Sequence, residues 1–405
     1  MGKRITILFL ISILTLTNIF SQVDSEFRGP NRNGKYENEN LLRQWPDGGP
    51  KLIKTLSGLG QGFTSAAVTN DRIYITGMLE TTGYLFSFDL SGNLLWKKPY
   101  GEEWTSNYPG SRSTPTIVGD KIYFTDAFGM LYCYDKSGEQ TWTVDMKKEF
   151  GFREIDFGAN EGLLIEGDNL FCTPGGKNAM MAILDRHTGN TLKIIKGNGQ
   201  KSAHCSPIII NHNNKRILIT YMGRSVVGVD MESFELLFEE ELYNQWEHNP
   251  NTPIYKNGYL FISTYVVGSK MLKIAKDGKS LTKVWEEKLF DSEAESAMEI
   301  DGYIYLGAGG NRTWYCIDWN TGKIMYSDKK FIKKANSIFA DGLLYTYNSN
   351  GYVSLIKPNP QKLELISQFE IKQGSKWHVA HLVIKKGKLY VRHGDILNIY
   401  DIARK

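Results

Sequence analysis

The sequence predicts an all-β chain folded as an eight-bladed β-propeller of four-stranded antiparallel blades, closed by an N-terminal strand that completes the last blade. Three observations carry the prediction. A strand-turn-strand unit recurs at separations of 40 to 49 residues along almost the whole chain. Forty glycines and 22 tyrosines in 405 residues, with few long apolar runs suited to helices, favour many short strands and turns. The last unit supplies only three strands, while a strand-like segment stands ahead of the first.

The repeat is aligned on its middle strand. Tyr74, Tyr123, Phe171, Leu218, Phe261, Tyr305, Tyr345 and Tyr390 then occupy one equivalent position, at separations of 49, 48, 47, 43, 44, 40 and 45 residues. Eight units result. Alternation such as KIYFTD over 121–126 gives each strand one face per neighbouring sheet. The third strand ends on Asp89, Asp135, Asp185 or Asp318 followed by a glycine-containing turn, where Asp, Asn and Gly supply the positive φ that a tight hairpin needs. A fourth strand brings in Trp96, Trp142, Phe238, Trp285 or Tyr326, expected to wedge between adjacent blades. One small sheet cannot bury both faces alone, and radial stacking buries them while leaving only short edges. The closing unit, 378–402, stops after three strands. PKLIKTL, residues 50–56, has the character of the missing fourth strand and is expected to clasp the ring shut.

Composition bounds the function classes. The formal charge is +4, and +2 without Lys3 and Arg4, so nothing argues for nucleic acid or a strongly acidic partner. Lys3 and Arg4 precede an apolar run from Ile5 to Phe20 that ends in Ser21 and Gln22, the pattern of a secretory signal peptide cut near Ser21. An uncleaved anchor is the alternative, but the run is short for a membrane span and carries Ser12, Thr15, Thr17 and Asn18. The expected organisation is a signal peptide over 1–21, an irregular arm over 22–49 lying against one face, and the propeller over 50–405. A periplasmic or secreted protein follows, without a membrane span after cleavage. A closed ring exposes no edge that demands a partner, so a monomer is expected. Cys133 and Cys316 share a repeat position and belong to distant units. Cys172 with Cys205 is the one pair worth testing as a disulfide, against the plainer reading of free buried thiols.

The segments FRGPNRNG (27–34), SRSTPTIVGDKIYFTD (111–126), NEGLLIEGDNLFCTPGG (160–176), HCSPI (204–208), NTPIYKNGYLFIST (251–264) and GKLYVRHGDILNIYDI (387–402) resemble the PQQ-like β-propeller proteins, whose repeat is named from quinoprotein alcohol dehydrogenases. The resemblance covers nearly all of the mature chain and implies the eight-bladed fold. It implies less about activity, because members share blades and differ in function. Quinoprotein dehydrogenases of the family hold PQQ beneath a disulfide of adjacent cysteines and over a tryptophan, with a Glu, Asn and Asp set on calcium. Here no two cysteines are neighbours and no CxxCH haem attachment occurs. PQQ with calcium, oxidising an alcohol or sugar, is therefore the alternative function. An envelope scaffold, like the family's propeller lipoprotein that assists outer-membrane barrel assembly, is the third, although no cysteine stands near the cut to carry a lipid.

In a propeller the connections from one blade's outer strand to the next blade's inner strand line the channel mouth, where function usually sits. Those connections offer Arg112, Asn160, Glu161, Lys201, His204, Trp246, His248, Asn251, Glu295, Asn336, Trp377, His378 and His381 as candidate ligand-binding residues, with Trp104, Tyr108, Arg153, Glu293, Lys333 and Lys334 beside them. Arg112 and Lys201 suit a carboxylate or sulfate, Glu161 and Glu295 suit hydroxyls or a cation, and Trp246 or Trp377 suits a flat ligand. The competing view is that a channel mouth is polar because it is wet. No HxH or HxxxH pair sets two metal ligands on one strand or helix, and the Asp turns lack the calcium-loop pattern. The leading expectation is thus an exported propeller that binds a small molecule, glycan or envelope protein at its channel face.

Overall fold

The structure, a computed structural model, describes residues 23–36, 39–292 and 295–405. The expected signal peptide and Glu293 lie outside the described residues.

Each blade follows from the repeat. In the first, Ala67–Val68, Arg72–Leu79, Thr82–Asp89 and Leu94–Glu102 pair in chain order from the inside outward. Sheets of the same order span 116–145, 164–195, 208–241, 254–287, 298–328 and 335–370. The eighth blade takes three strands from the C-terminus, Val383–Lys385, Lys388–His393 and Ile396–Asp401, and its outermost strand from Lys51–Leu56. There Lys51 stands opposite Asp401 and Leu56 opposite Leu397, antiparallel, with a bulge between Leu52 and Lys54. Blades and clasp are as the repeat predicts. All eight aligned residues, from Tyr74 to Tyr390, sit on second strands and are buried.

The seams explain the aromatic stops. Trp96 donates from Nε1 to the carbonyl of Lys136 at 3.0 Å, Trp142 to Arg186 at 3.1 Å and Trp285 to Trp319 at 2.9 Å. Each acceptor directly follows the turn aspartate of the next blade. The turn glycine lies beneath the indole: a Cβ at Gly138, Gly189 or Gly322 would meet that ring at 2.9, 2.9 or 2.7 Å, and all three have positive φ. One residue type thus satisfies both the left-handed turn and the packing of the neighbouring blade. The four cysteines are free and buried, Cys172 and Cys205 included.

The N-terminal arm enters the ring. Val23–Ser25 pairs antiparallel with the innermost strand of the second blade, and Lys35–Tyr36 pairs parallel with that of the seventh. Between them Arg32, 2% exposed, pairs with Glu26 at 2.6 Å and donates to the carbonyls of Gly162, Leu163 and Pro207 at the third and fourth blades. Arg28, equally buried, donates to the carbonyl of Ala297 at the sixth. The arm therefore spans the channel, with its chain ends near the turns of one face and its apex near the inter-blade connections of the other. Residues 39–49 then carry the chain to the clasp, where Trp45 packs edge-on against Tyr345 and Phe369 at 5.7 and 5.4 Å.

Candidate functional site

A pocket of about 220 Å³ opens on the connection face, above the apex of the arm. Its floor is Phe27, whose ring meets His381 edge-on at 4.9 Å. Phe63, Tyr108 and Phe157 supply aromatic walls. Arg112, Asn160, His204, His248, Lys334 and His381 supply polar groups, and six separate connections contribute them. No aspartate or glutamate lines it among the described residues.

Arg112 is fixed before any ligand arrives. Its Nη1 donates to the carbonyl of Gly110 at 2.9 Å and its Nη2 to that of Tyr108, both in its own connection. The guanidinium carbon lies 4.8 Å from the centroid of Phe63 and 5.8 Å from that of Phe157, so two rings flank a cation that keeps further N–H donors. Burial lowers its pKa to about 10, partly offset by Glu103, and it remains charged at neutral pH. Lys334 pairs with Glu295 at 3.3 Å.

His204 and His381 are held neutral. His204 Nδ1 lies 3.1 Å from Asn160 Oδ1, and the ring also hydrogen-bonds the backbone of Asp156. Its ring stands 4.4 Å from that of His248, edge to face. Burial first, then the neighbouring His248 and the positive charge of Arg112, push its pKa well below the usual histidine range. Burial, with Arg28 beneath the floor, lowers that of His381 to about 3. The polar lining thus includes one fixed cation, one paired cation, the neutral His204 and His381 and the Asn160 amide, a set that favours an anion with an apolar body.

The thirteen sequence candidates divide by position. Arg112, Asn160, His204, His248 and His381 meet in the pocket. Trp377 lies at its edge, 4.7 Å from Tyr108 and 6.0 Å from Phe63. Glu161 is buried beneath, its Oε2 accepting from Thr173 N and Oγ1 at 2.9 and 2.8 Å, and burial raises its pKa to about 7. Asn251 bonds the carbonyls of Ser263 and Ser292, and Asn336 that of Val379, so both tie connections together. His378 stacks on His393 at 3.7 Å and bonds Tyr347. Lys201 lies in a separate polar groove with Arg224, Glu239 and Glu247, and Trp246 packs on Tyr265. Phe27, Phe63 and Phe157 escaped the sequence reading because they stand outside the repeat register. FRGP at the head of the arm was the available signal for Phe27.

Calcium-bound PQQ needs carboxylates at the quinone, and the lining has none among the described residues. Nor does any group of three His, Cys, Asp or Glu among them have the arrangement to hold a metal ion. The four cysteines are buried and unjoined, so none forms a lid. The residues present do not fit that cofactor.

Comparison with known proteins gives a consistent picture. A family model described as outer membrane protein assembly factor BamB matches residues 81–328. No curated protein matches the sequence. The crystal structure of BamB from Moraxella catarrhalis is similar with a TM-score of 0.62 at 13% identity, covering 87% of this chain and all of that one. A europium-containing methanol dehydrogenase gives 0.66 at 10% identity, over 93% of this chain and 91% of that one. The quinohemoprotein alcohol dehydrogenase from Comamonas testosteroni gives 0.63 at 9% identity, over 95% and 81%. At such identities the likeness is one of fold. Among the described residues no helix is long and apolar enough to cross a membrane.

Proposed function

The chain belongs to the PQQ-like β-propeller family, and from that premise we propose that it is an exported binding protein that holds a small anion with a flat apolar body in the channel-face pocket. Export is supported by the basic and apolar pattern of residues 3–22. The observation that carries the binding reading is Arg112: a guanidinium locked by two carbonyls of its own connection, flanked by Phe63 and Phe157, in a lining without carboxylates among the described residues. A planar carboxylate would take the remaining guanidinium donors while its ring lies among the aromatic walls.

The test is calorimetric titration of the purified protein with benzoate and 2-naphthoate. Saturable binding is expected, and Arg112→Ala should weaken it by about 10- to 100-fold, the equivalent of a charge-assisted hydrogen bond of about 1.5–3 kcal/mol. Unchanged affinity in that variant would refute the assignment. Quinone absorbance with alcohol-dependent dye reduction, after adding PQQ and calcium, would replace it with the dehydrogenase reading.

A second reading, docking of an envelope protein, is favoured by one observation. Tyr108, Tyr243, Trp246 and Phe331 stand 44–49% exposed on connections of the same face. Capture of a partner that fails with Trp246→Ala and Tyr243→Ala, while benzoate still binds, would support it.

A further inference from the structure

We propose that the N-terminal arm sets the depth of the pocket, with Phe27 as its size-determining floor, an inference that rests on the reading of that pocket as a ligand site. A propeller channel is open at both ends unless something fills it. Here the filling is a segment of the chain itself, and its tip is a pocket wall.

Three features hold the tip in place. Arg32 ties the arm to carbonyls at two blades and Arg28 to a carbonyl at a third. Phe27 packs on backbone, since a Cβ on Gly162 would lie 3.0 Å from the Phe27 Cβ. The reversal after Phe27 also runs through left-handed backbone at Arg28, Asn31 and Arg32, with φ of 65°, 58° and 54°. Non-glycine residues persist there only where the surroundings over-determine them, and such strain gathers at ligand clamps and switch regions. Gly29, with φ of 71°, lets the chain pass Tyr36, whose ring would be 2.7 Å from a Cβ.

The consequence is a pocket closed by an aromatic ring, with the buried guanidinium of Arg28 directly below it in the chain. A smaller residue at position 27 lengthens the apolar space and brings a second cation toward its end. A larger one shortens it. Length of the ligand's apolar body is therefore the property the arm selects.

The experiment compares benzoate with 2-naphthoate by calorimetry in the wild-type protein and in Phe27→Ala, Phe27→Leu and Phe27→Trp, with folding followed by circular dichroism. The naphthoate-to-benzoate affinity ratio is expected to rise about tenfold in Phe27→Ala, the gain from burying part of one more ring, and to fall in Phe27→Trp. Phe27→Leu keeps an apolar contact with His381 and should fall between, which keeps the test decisive if the alanine variant misfolds. Arg32→Gln, at the other end of the apex, should reproduce the alanine result by loosening the arm. Wild-type binding with one constant ratio across folded variants would overturn the inference and leave the binding reading intact. Failure of the wild-type protein to bind either acid would overturn the binding reading, and the inference with it.

Discussion

Glu103 is 3% exposed and accepts a hydrogen bond from Tyr100 at 2.5 Å. Burial raises its pKa from 4.5 to about 8; Tyr100 and Arg112 pull it down, and Asp126 adds to the rise. The carboxyl is thus neutral at pH 7 and leaves the charge of Arg112 uncompensated. Two pH dependences follow. Benzoate should bind more weakly as pH rises through about 8, because ionised Glu103 then competes for the field of Arg112. The stability supplied by the neutral carboxyl is complete below about 4.5, where the unfolded chain is also protonated, and is lost as pH rises to about 8. Burial likewise raises Asp126 to about 6 and Glu161 to about 7, so only the difference between wild type and Glu103→Gln isolates this group. That variant keeps an acceptor for Tyr100. Its affinity should stay level across pH 7 to 9, and its Tm should fall less than that of the wild type between pH 5 and 8.5. Parallel pH profiles for the two proteins would show that Glu103 has no part in either effect.

At the scale of the element, the glycine-on-indole seam is where turn chemistry and blade packing meet. Gly322→Ala places a Cβ at φ of 71° and 2.7 Å from the ring of Trp285. The left-handed conformation alone costs about 1–2 kcal/mol, and the clash adds to it. In a double-mutant cycle followed by urea unfolding, Trp285→Ala should remove the clash and leave about the backbone cost, whereas additive losses would mean that the seam is not shared. These seams were legible in the sequence because each rests on short-range, repeated pattern: an aspartate, a glycine and an aromatic at fixed offsets. The clasp was legible by subtraction, since three terminal strands left one edge unpaired. The site was legible only in part. Connections between blades revealed which residues stand near the mouth, but their side chains obey no period. Arg112 and His204 turn inward, Glu161 is consumed by Thr173, and Lys201 lies in another groove. The arm was the least legible element, because its fold is set by carbonyls more than a hundred residues away, as with Arg32 on Gly162.

For the whole molecule, closure is the property that no single blade owns. Six residues, Lys51–Leu56, join the ring, and their ladder to Ile396–Asp401 includes Thr55 donating to Asn398 at 2.7 Å and buried Leu56 opposite Leu397. In an open stack of repeats each unit is stabilised by its neighbours alone, and the ends fray first. A closed ring has no ends, so breaking one joint exposes two blade faces and an unpaired edge together. Thr55→Pro removes the side-chain bonds to Asn398 and Gln373 and fixes φ in the joining strand without touching the pocket. It should lower the urea midpoint of the entire protein in one transition, with tryptophan fluorescence and far-ultraviolet circular dichroism falling together, because Trp96, Trp142 and Trp285 report on seams around the ring. It should also let the variant form dimers through the freed edge of Ile396–Asp401, visible as an earlier elution at micromolar concentration. Two separated transitions, with the seams of the middle blades surviving the loss of the last, would show instead that the blades hold one another as a linear array and that the clasp is a local fastening.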